Sequence, residues 1–256
     1  MTRFGQGPRQ ALAIHCTLAH SGAWRGVAGA LSDRLAITAF DLPGHGRSGD
    51  WDGGLDLHDI ATGMGLDLLD ERMDLVGHSF GATVALRLAV TCPGRVRSLT
   101  MIEPVFFAAA IADAPERLAA YEAQAADFRA ALEAGDDMLA ARLFNRLWGD
   151  GTPWTDLPES LRDYMAARMG VIAGEVPVLY EDAAGLMKPG VLARATMPSL
   201  LIAGETSIDV VDAINAALAR RLPDVRRVTI PGAGHMAPIT HPQDVAAAIS
   251  DLLEVS

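Results

Sequence analysis

The sequence predicts an α/β fold, a mostly parallel central sheet flanked by helices, with an inserted all-helical segment. Three observations carry that expectation. Short apolar runs alternate with amphipathic helical stretches, the pattern of strands joined by crossover helices. Strand texture disappears between about 106 and 189 and returns afterwards. A G-x-S-x-G stretch, Gly77 to Gly81, sits where an apolar strand should turn into an apolar helix.

The elements follow in order. "ALAIHC" (11–16) and "AITAFDL" (36–42) read as buried strands, with helical spacing in "AWRGVAGALSDRL" between them. "LHDIATGMGLDLLDE" (57–71) reads as a helix, "MDLVGHS" as a third strand, and "FGATVALRLAVTCP" (80–93) as a helix stopped by Pro93 and Gly94. A fourth strand is expected at "VRSLTMIEPV" (96–105). Only helical runs follow, such as "APERLAAYEAQAADFRAALEAGD" and "DDMLAARLFNRLW". Strands return at "PSLLIAG" (198–204) and "RRVTIPG" (226–232), separated by "VVDAINAALARRL", and "PQDVAAAISDLLEV" closes the chain. The expected organisation is a core domain, 1–105 plus 190–256, interrupted by a helical cap, 106–189.

Composition narrows the function. The chain has 256 residues, half of them apolar, and a net charge of −11, which disfavours nucleic acid and anionic membranes as partners. Two cysteines, Cys16 and Cys92, make no disulfide framework in a chain of this length. Arg3 and Arg9 before "ALAIHCTLA" resemble a secretory leader, but His15 and Cys16 break the apolar run, which reads better as a core strand. No run approaches the roughly 20 apolar residues of a membrane span. A cytoplasmic protein, monomeric or homodimeric, is expected. The histidines and acids fall in no metal-ligand spacing, and "GHGRSG" (44–49) follows a strand without opening a helix, so neither a metal nor another cofactor is expected.

The G-x-S-x-G stretch asks for a mechanical explanation. A residue on a very sharp strand-to-helix turn needs small neighbours two positions either side, because the backbone segments nearly touch. Such a turn exposes the Ser79 hydroxyl above the carboxyl ends of the strands and places the Phe80 N–H, at a helix N-terminus, beside it.

These residues resemble the α/β-hydrolase fold family, in its serine-nucleophile branch with a helical cap, which holds esterases and carbon–carbon bond hydrolases. Besides "GHSFG", the likeness rests on "DLPGHGRS" (41–48), "PGAGHMAPITHP" (231–242) and "HCTLAHSGAW" (15–24), and it runs nearly end to end. It implies Ser79 as nucleophile and His235 as the base that takes its proton, with Thr17 and Phe80 N–H groups as the oxyanion donors. His235 follows the last strand in a glycine-rich loop, whereas His45, His58 and His78 read as structural or solvated, and His241 is the alternative.

The third member departs from the pattern. Where relatives carry Gly-x-x-Asp, "AGETSIDVV" has Ser207. Glu103, ending the fourth strand, and Asp209 are the two candidates, with Glu103 preferred because a strand-end glutamate is costly to bury unpaired. Asp209 reads otherwise as a helix N-terminal acid. Cys16, where the family has glycine, reads as an apolar filler rather than a reactive thiol. The short N-terminus implies a sheet lacking one outer strand of the family's eight.

The expected substrate is a small, neutral, partly apolar ester, thioester or lactone. His20, Trp24, Phe106, Phe107, Trp148 and Tyr180 are the candidate substrate-binding residues; Phe144, Trp154 and Tyr164 are further aromatics of the cap. A carbon–carbon bond hydrolase with the same triad and a non-catalytic binding protein are the alternatives.

Overall fold

The computed structural model describes all of residues 1–256. In chain order the elements are β1 (Thr2–Phe4), β2 (Arg9–Ile14), α1 (Arg25–Ala30), β3 (Leu35–Phe40), α2 (Leu57–Leu68), β4 (Met73–His78), α3 (Phe80–Thr91) and β5 (Val96–Ile102). Five helices follow without a strand: α4 (Phe107–Asp113), α5 (Pro115–Glu133), α6 (Asp137–Trp148), α7 (Glu159–Ala166) and α8 (Met169–Leu179). The chain ends with β6 (Ser199–Gly204), α9 (Asp209–Ala219), β7 (Val225–Ile230), α10 (Ala237–Thr240) and α11 (Pro242–Leu253).

The strands form one sheet in the order β1-β3-β2-β4-β5-β6-β7. All neighbours are parallel except β1, which runs antiparallel to β3 at the edge. Seven strands are one fewer than the family's usual eight. β1 was not expected, because three residues are too few to display alternation. The helix expected across 23–35 is shortened to α1, preceded by a 3₁₀ turn over Ser21–Trp24.

Strand periodicity distributes the core between the two faces of the sheet. Leu12, Ile14, Leu75, Leu99, Met101 and Leu201 join a cluster with α2, α3, α4 and α9. Their neighbours Ala11, Ala13, Val76, Leu200 and Ile202 join a second cluster with α1 and α11. A one-residue slip would exchange the two sets, so burial of both faces fixes the register. Each fully buried leucine or isoleucine contributes about 1.5–3 kcal/mol.

The inserted helices bury a smaller cluster, in which Phe128, Ala140, Leu143, Met165 and Met169 join α5, α6, α7 and α8 around Leu18 of the loop after β2. α4 does not share it; Phe107 and Ala108 to Ala110 pack into the larger core. Arginine–carboxylate pairs fasten the insertion to α9 and the turn that follows it: Arg117 to Asp209 and Asp212, and Arg220 and Arg221 to Asp113. Exposed pairs of this kind each contribute at most about 1 kcal/mol.

Candidate active site

β4 passes into α3 through Ser79, whose φ is 56° and ψ −120°, a backbone state unusual for a residue with a side chain. Holding it costs about 1–3 kcal/mol. The surroundings impose it: the Ser79 N–H donates to the Ile102 carbonyl at 2.9 Å, and the Ala82 N–H donates to the Ser79 carbonyl at 3.0 Å. The Ser79 side chain caps no amide of α3, so its hydroxyl is not spent on the helix. Phe80 is the first helical residue, and its N–H has no intrahelical acceptor.

The flanking glycines answer to steric contact. A Cβ on Gly77 would lie 2.4 Å from the Gly81 carbonyl oxygen, and one on Gly81 would lie 2.4 Å from the carbonyl oxygens of Ile14 and His15. Those contacts are backbone, and no side-chain rotation relieves them. Gly81→Ala is therefore expected to destabilise the protein by about 3 kcal/mol or more, read as a lowered midpoint of thermal unfolding. An unchanged midpoint would refute this close approach of α3 to β2.

His235 lies in the loop between β7 and α10, and its Nδ1 is 3.0 Å from Glu103 Oε2. Glu103 follows β5, has a φ of 51° and is wholly buried. Its other oxygen, Oε1, accepts from the Gly204 N–H and from the Ser207 hydroxyl, each at 2.6 Å. Three donors thus satisfy a carboxylate that would otherwise be costly to bury. Ser207, which stands where the family's aspartate is expected, is one of them. The His235 carbonyl accepts from His78 Nε2 at 2.8 Å, and the Trp148 ring packs edge-on to the His235 imidazole at 4.6 Å between centroids. Asp209 lies elsewhere: it opens α9, is largely exposed and pairs with Arg117 at 2.8 Å.

The loop after β2 is held by two neutral histidines. His15 Nε2 accepts from the Leu42 N–H, and His45 Nε2 accepts from the Leu18 N–H, both at 2.9 Å. Each donates its Nδ1–H to a carbonyl, of Cys16 and Pro43 respectively. Burial lowers His15 to about 3 and His45 to about 4, so both serve as fixed acceptors. Burial also pushes the Cys16 thiol up to about 12, which makes it unreactive, as a filler should be. The Thr17 N–H donates to no group in the chain. His58, read as structural or solvated, is buried against Phe80, and burial lowers it to about 3.

Ser79 and His235 open into one cavity of about 210 Å³, mostly apolar. Thr17, Phe107, Trp148 and Tyr180 also line it. A second cavity of about 460 Å³ shares Thr17, Phe144 and Trp148 with the first and adds His20, Arg25 and Asn145. His20 thus reaches the second chamber only, and its Nδ1 accepts from the Gly22 N–H at 3.0 Å. Two expected binding residues are displaced. Trp24 is buried in the core between β2, α1 and α11, because its 3₁₀ turn packs onto the sheet's far face. Phe106 is fully buried in the main core, one residue before α4, and lines neither cavity.

Much of the first cavity's wall comes from α5 and α8, through Tyr121, Phe128, Arg129, Ile172, Glu175 and Val176. Arg129, Glu122 and Tyr180 are mutually bonded, with the Tyr180 hydroxyl 2.7 Å from Arg129 and 3.0 Å from Glu122. Sequence reasoning passed over Glu175. The signal was present: α8 reads "MGVIAGEVPVL", with Glu175 its one charged residue. Glu175 is buried, Oε1 accepts from the Thr17 hydroxyl at 2.6 Å, and burial pushes its carboxyl up to about 8.

Glu175 has a consequence for stability. Between its ordinary 4.5 and about 8, the folded chain keeps a proton that the unfolded chain releases. Its contribution therefore makes stability fall as pH rises through that window. The buried histidines act oppositely, adding stability as pH rises from about 3 towards 6.5. The difference in unfolding midpoint between Glu175→Gln and the native chain isolates the glutamate: the variant's advantage is expected to grow from pH about 5 to about 8 and then level off. A constant difference would contradict the neutral carboxyl.

The sequence model described as the alpha/beta hydrolase family matches residues 11–248. A pimeloyl-[acyl-carrier protein] methyl ester esterase of Nitrosomonas europaea is 41% identical over 98 residues, a match spanning 38% of this chain and 38% of that relative. Lipase LipV of Mycobacterium tuberculosis is 30% identical over 276 residues, covering 98% of this chain and 96% of that one. The crystal structure of Cfl2 from Burkholderia cenocepacia superposes with a TM-score of 0.73 at 22% identity, over 97% of this chain and 90% of that one, a likeness of fold.

Proposed function

The chain belongs to the alpha/beta hydrolase family, and from that premise we propose that it hydrolyses a small, neutral, partly apolar ester, thioester or lactone through an acyl-enzyme on Ser79. One observation carries this reading. A hydroxyl held on a bend at φ 56° shares a cavity with an imidazole whose far nitrogen is 3.0 Å from a buried carboxylate. Relatives named as a methyl ester esterase and a lipase support ester cleavage over the carbon–carbon alternative.

In the first step Ser79 Oγ bonds to the carbonyl carbon while His235 Nε2 takes its proton. Glu103 accepts the Nδ1–H, holds that tautomer and balances the imidazolium. The N–H groups of Phe80 and Thr17 hold the oxyanion, each worth about 100- to 1000-fold in rate. His235 then returns the proton to the departing alkoxide or thiolate. Water repeats the sequence on the acyl-enzyme, giving the acid and free Ser79. Residues 106–189 serve as a cap over a core of 1–105 and 190–256, and α5 and α8 supply the wall that selects the acyl chain.

A series of p-nitrophenyl esters of rising chain length tests the reading. Turnover should peak at short to medium acyl chains and fall once the chain outgrows a cavity of about 210 Å³. A fluorophosphonate probe should label Ser79. Absence of both would reject a serine hydrolase.

A further inference from the structure

We propose that Glu175 determines specificity, donating a hydrogen bond from its carboxyl to a hydroxyl or keto oxygen on the substrate's acyl chain, close to the scissile carbonyl. The proposal rests on the serine-hydrolase reading and adds a substrate class to it: oxygenated acyl esters or thioesters rather than plain hydrocarbon ones.

Four observations support it. Glu175 lies on the wall of the cavity that holds Ser79 and His235, so a group bound beside it is near the reacting carbonyl. Only half of the carboxyl is used: Oε1 accepts from the Thr17 hydroxyl, while Oε2 has no partner in the chain. Oε2 is also absent from the sealed, unpartnered polar atoms, so it retains open space beside it. No arginine, lysine or histidine forms an ion pair with Glu175, which excludes the ordinary reason for burying a carboxylate in an apolar helix.

The surrounding groups set the carboxyl's state. Titratable neighbours on the cavity wall are His235 from the β7–α10 loop, Tyr121, Arg129 and Glu133 from α5, and Tyr180 just after α8. Cys16, beside Thr17, is the remaining one and stays a neutral thiol. Arg129 is occupied by Glu122. Burial thus governs, and Glu175 remains a neutral acid up to about pH 8. A neutral acid offers one O–H, and the matching group is an oxygen lone pair. A hydrocarbon chain filling the cavity would displace water from Oε2 and leave it unpaired; a hydroxyl or keto oxygen would satisfy it.

The test compares kcat/KM for the ethyl thioesters of 4-oxopentanoic and pentanoic acid, in the native chain, Glu175→Leu and Glu175→Gln. The native chain should prefer the keto thioester, whose extra oxygen can only accept, by about 10- to 100-fold, and the preference should shrink as pH rises through about 8. Glu175→Leu should bring the ratio of the two kcat/KM values to about one, whatever becomes of either value alone. Glu175→Gln, which retains an N–H donor, should keep much of the preference and lose its pH dependence. That variant decides the matter if Glu175→Leu does not fold.

A native ratio near one, or a ratio that survives Glu175→Leu, overturns the proposal; so does a Glu175→Gln ratio that still falls through pH 8. Turnover without preference, with Ser79 labelled by fluorophosphonate, sinks the proposal alone. Absence of turnover and of labelling sinks it together with the serine-hydrolase reading.

Discussion

Ser79→Ala is expected to lower kcat by about 10⁴- to 10⁶-fold while leaving the fold intact. The expected loss is large because in the proposed mechanism nucleophile and base act as one unit: without Oγ no acyl-enzyme would form, and His235 would have no proton to receive. Residual turnover would come from the cavity and the two N–H donors acting on water. The fold should survive, because the hydroxyl caps no helix amide. Alanine keeps the strained φ, so the variant should be neither much more nor much less stable. Stopped-flow measurement of p-nitrophenol release, with thermal unfolding as control, reads both. Activity within tenfold of the native chain would remove Ser79 from the mechanism.

Glu103→Gln should cost about 10³- to 10⁴-fold in kcat. The amide is nearly isosteric, and its oxygen can still accept from the Gly204 N–H and the Ser207 hydroxyl. Its nitrogen would then face His235 Nδ1 and donate where the carboxylate accepted. That forces the proton onto Nε2, and the imidazole can no longer take one from Ser79. Asp209→Asn should stay within about twofold, since it only weakens an exposed pair with Arg117. Measured side by side at the pH of best activity, the two variants separate the candidate acids. The reverse ranking would move the acid to Asp209.

The local parts of this protein were legible in its sequence. Alternating apolar runs specified a parallel sheet because each strand must bury one set of residues on each face, and Leu75 and Val76 divide between two cores accordingly. The Gly77–Ser79–Gly81 bend was legible because strand, turn and helix are contiguous and the Gly77 clash arises within them, whereas the Gly81 clash, with Ile14 and His15, exists only once α3 packs on β2. His235 was singled out by its glycine-rich loop and its place after the last strand. β1 escaped notice because it pairs only through an antiparallel edge with β3.

Tertiary structure decided what depends on residues distant in sequence. Along the chain Glu103 was preferred to Asp209 only by the cost of burying a strand-end glutamate unpaired. Folding brings Glu103 against His235, Gly204 and Ser207 and leaves Asp209 beside Arg117. Aromatic identity likewise could not separate Phe107, which lines the cavity, from Phe106, which lies in the core. The carboxyl of Glu175 meets Thr17 only because α8 crosses the loop after β2. Hydrophobic periodicity reports which face of an element is buried, since that depends on the element alone. Which groups meet across a cavity depends on how separate elements pack, and that information exists only once the chain has folded.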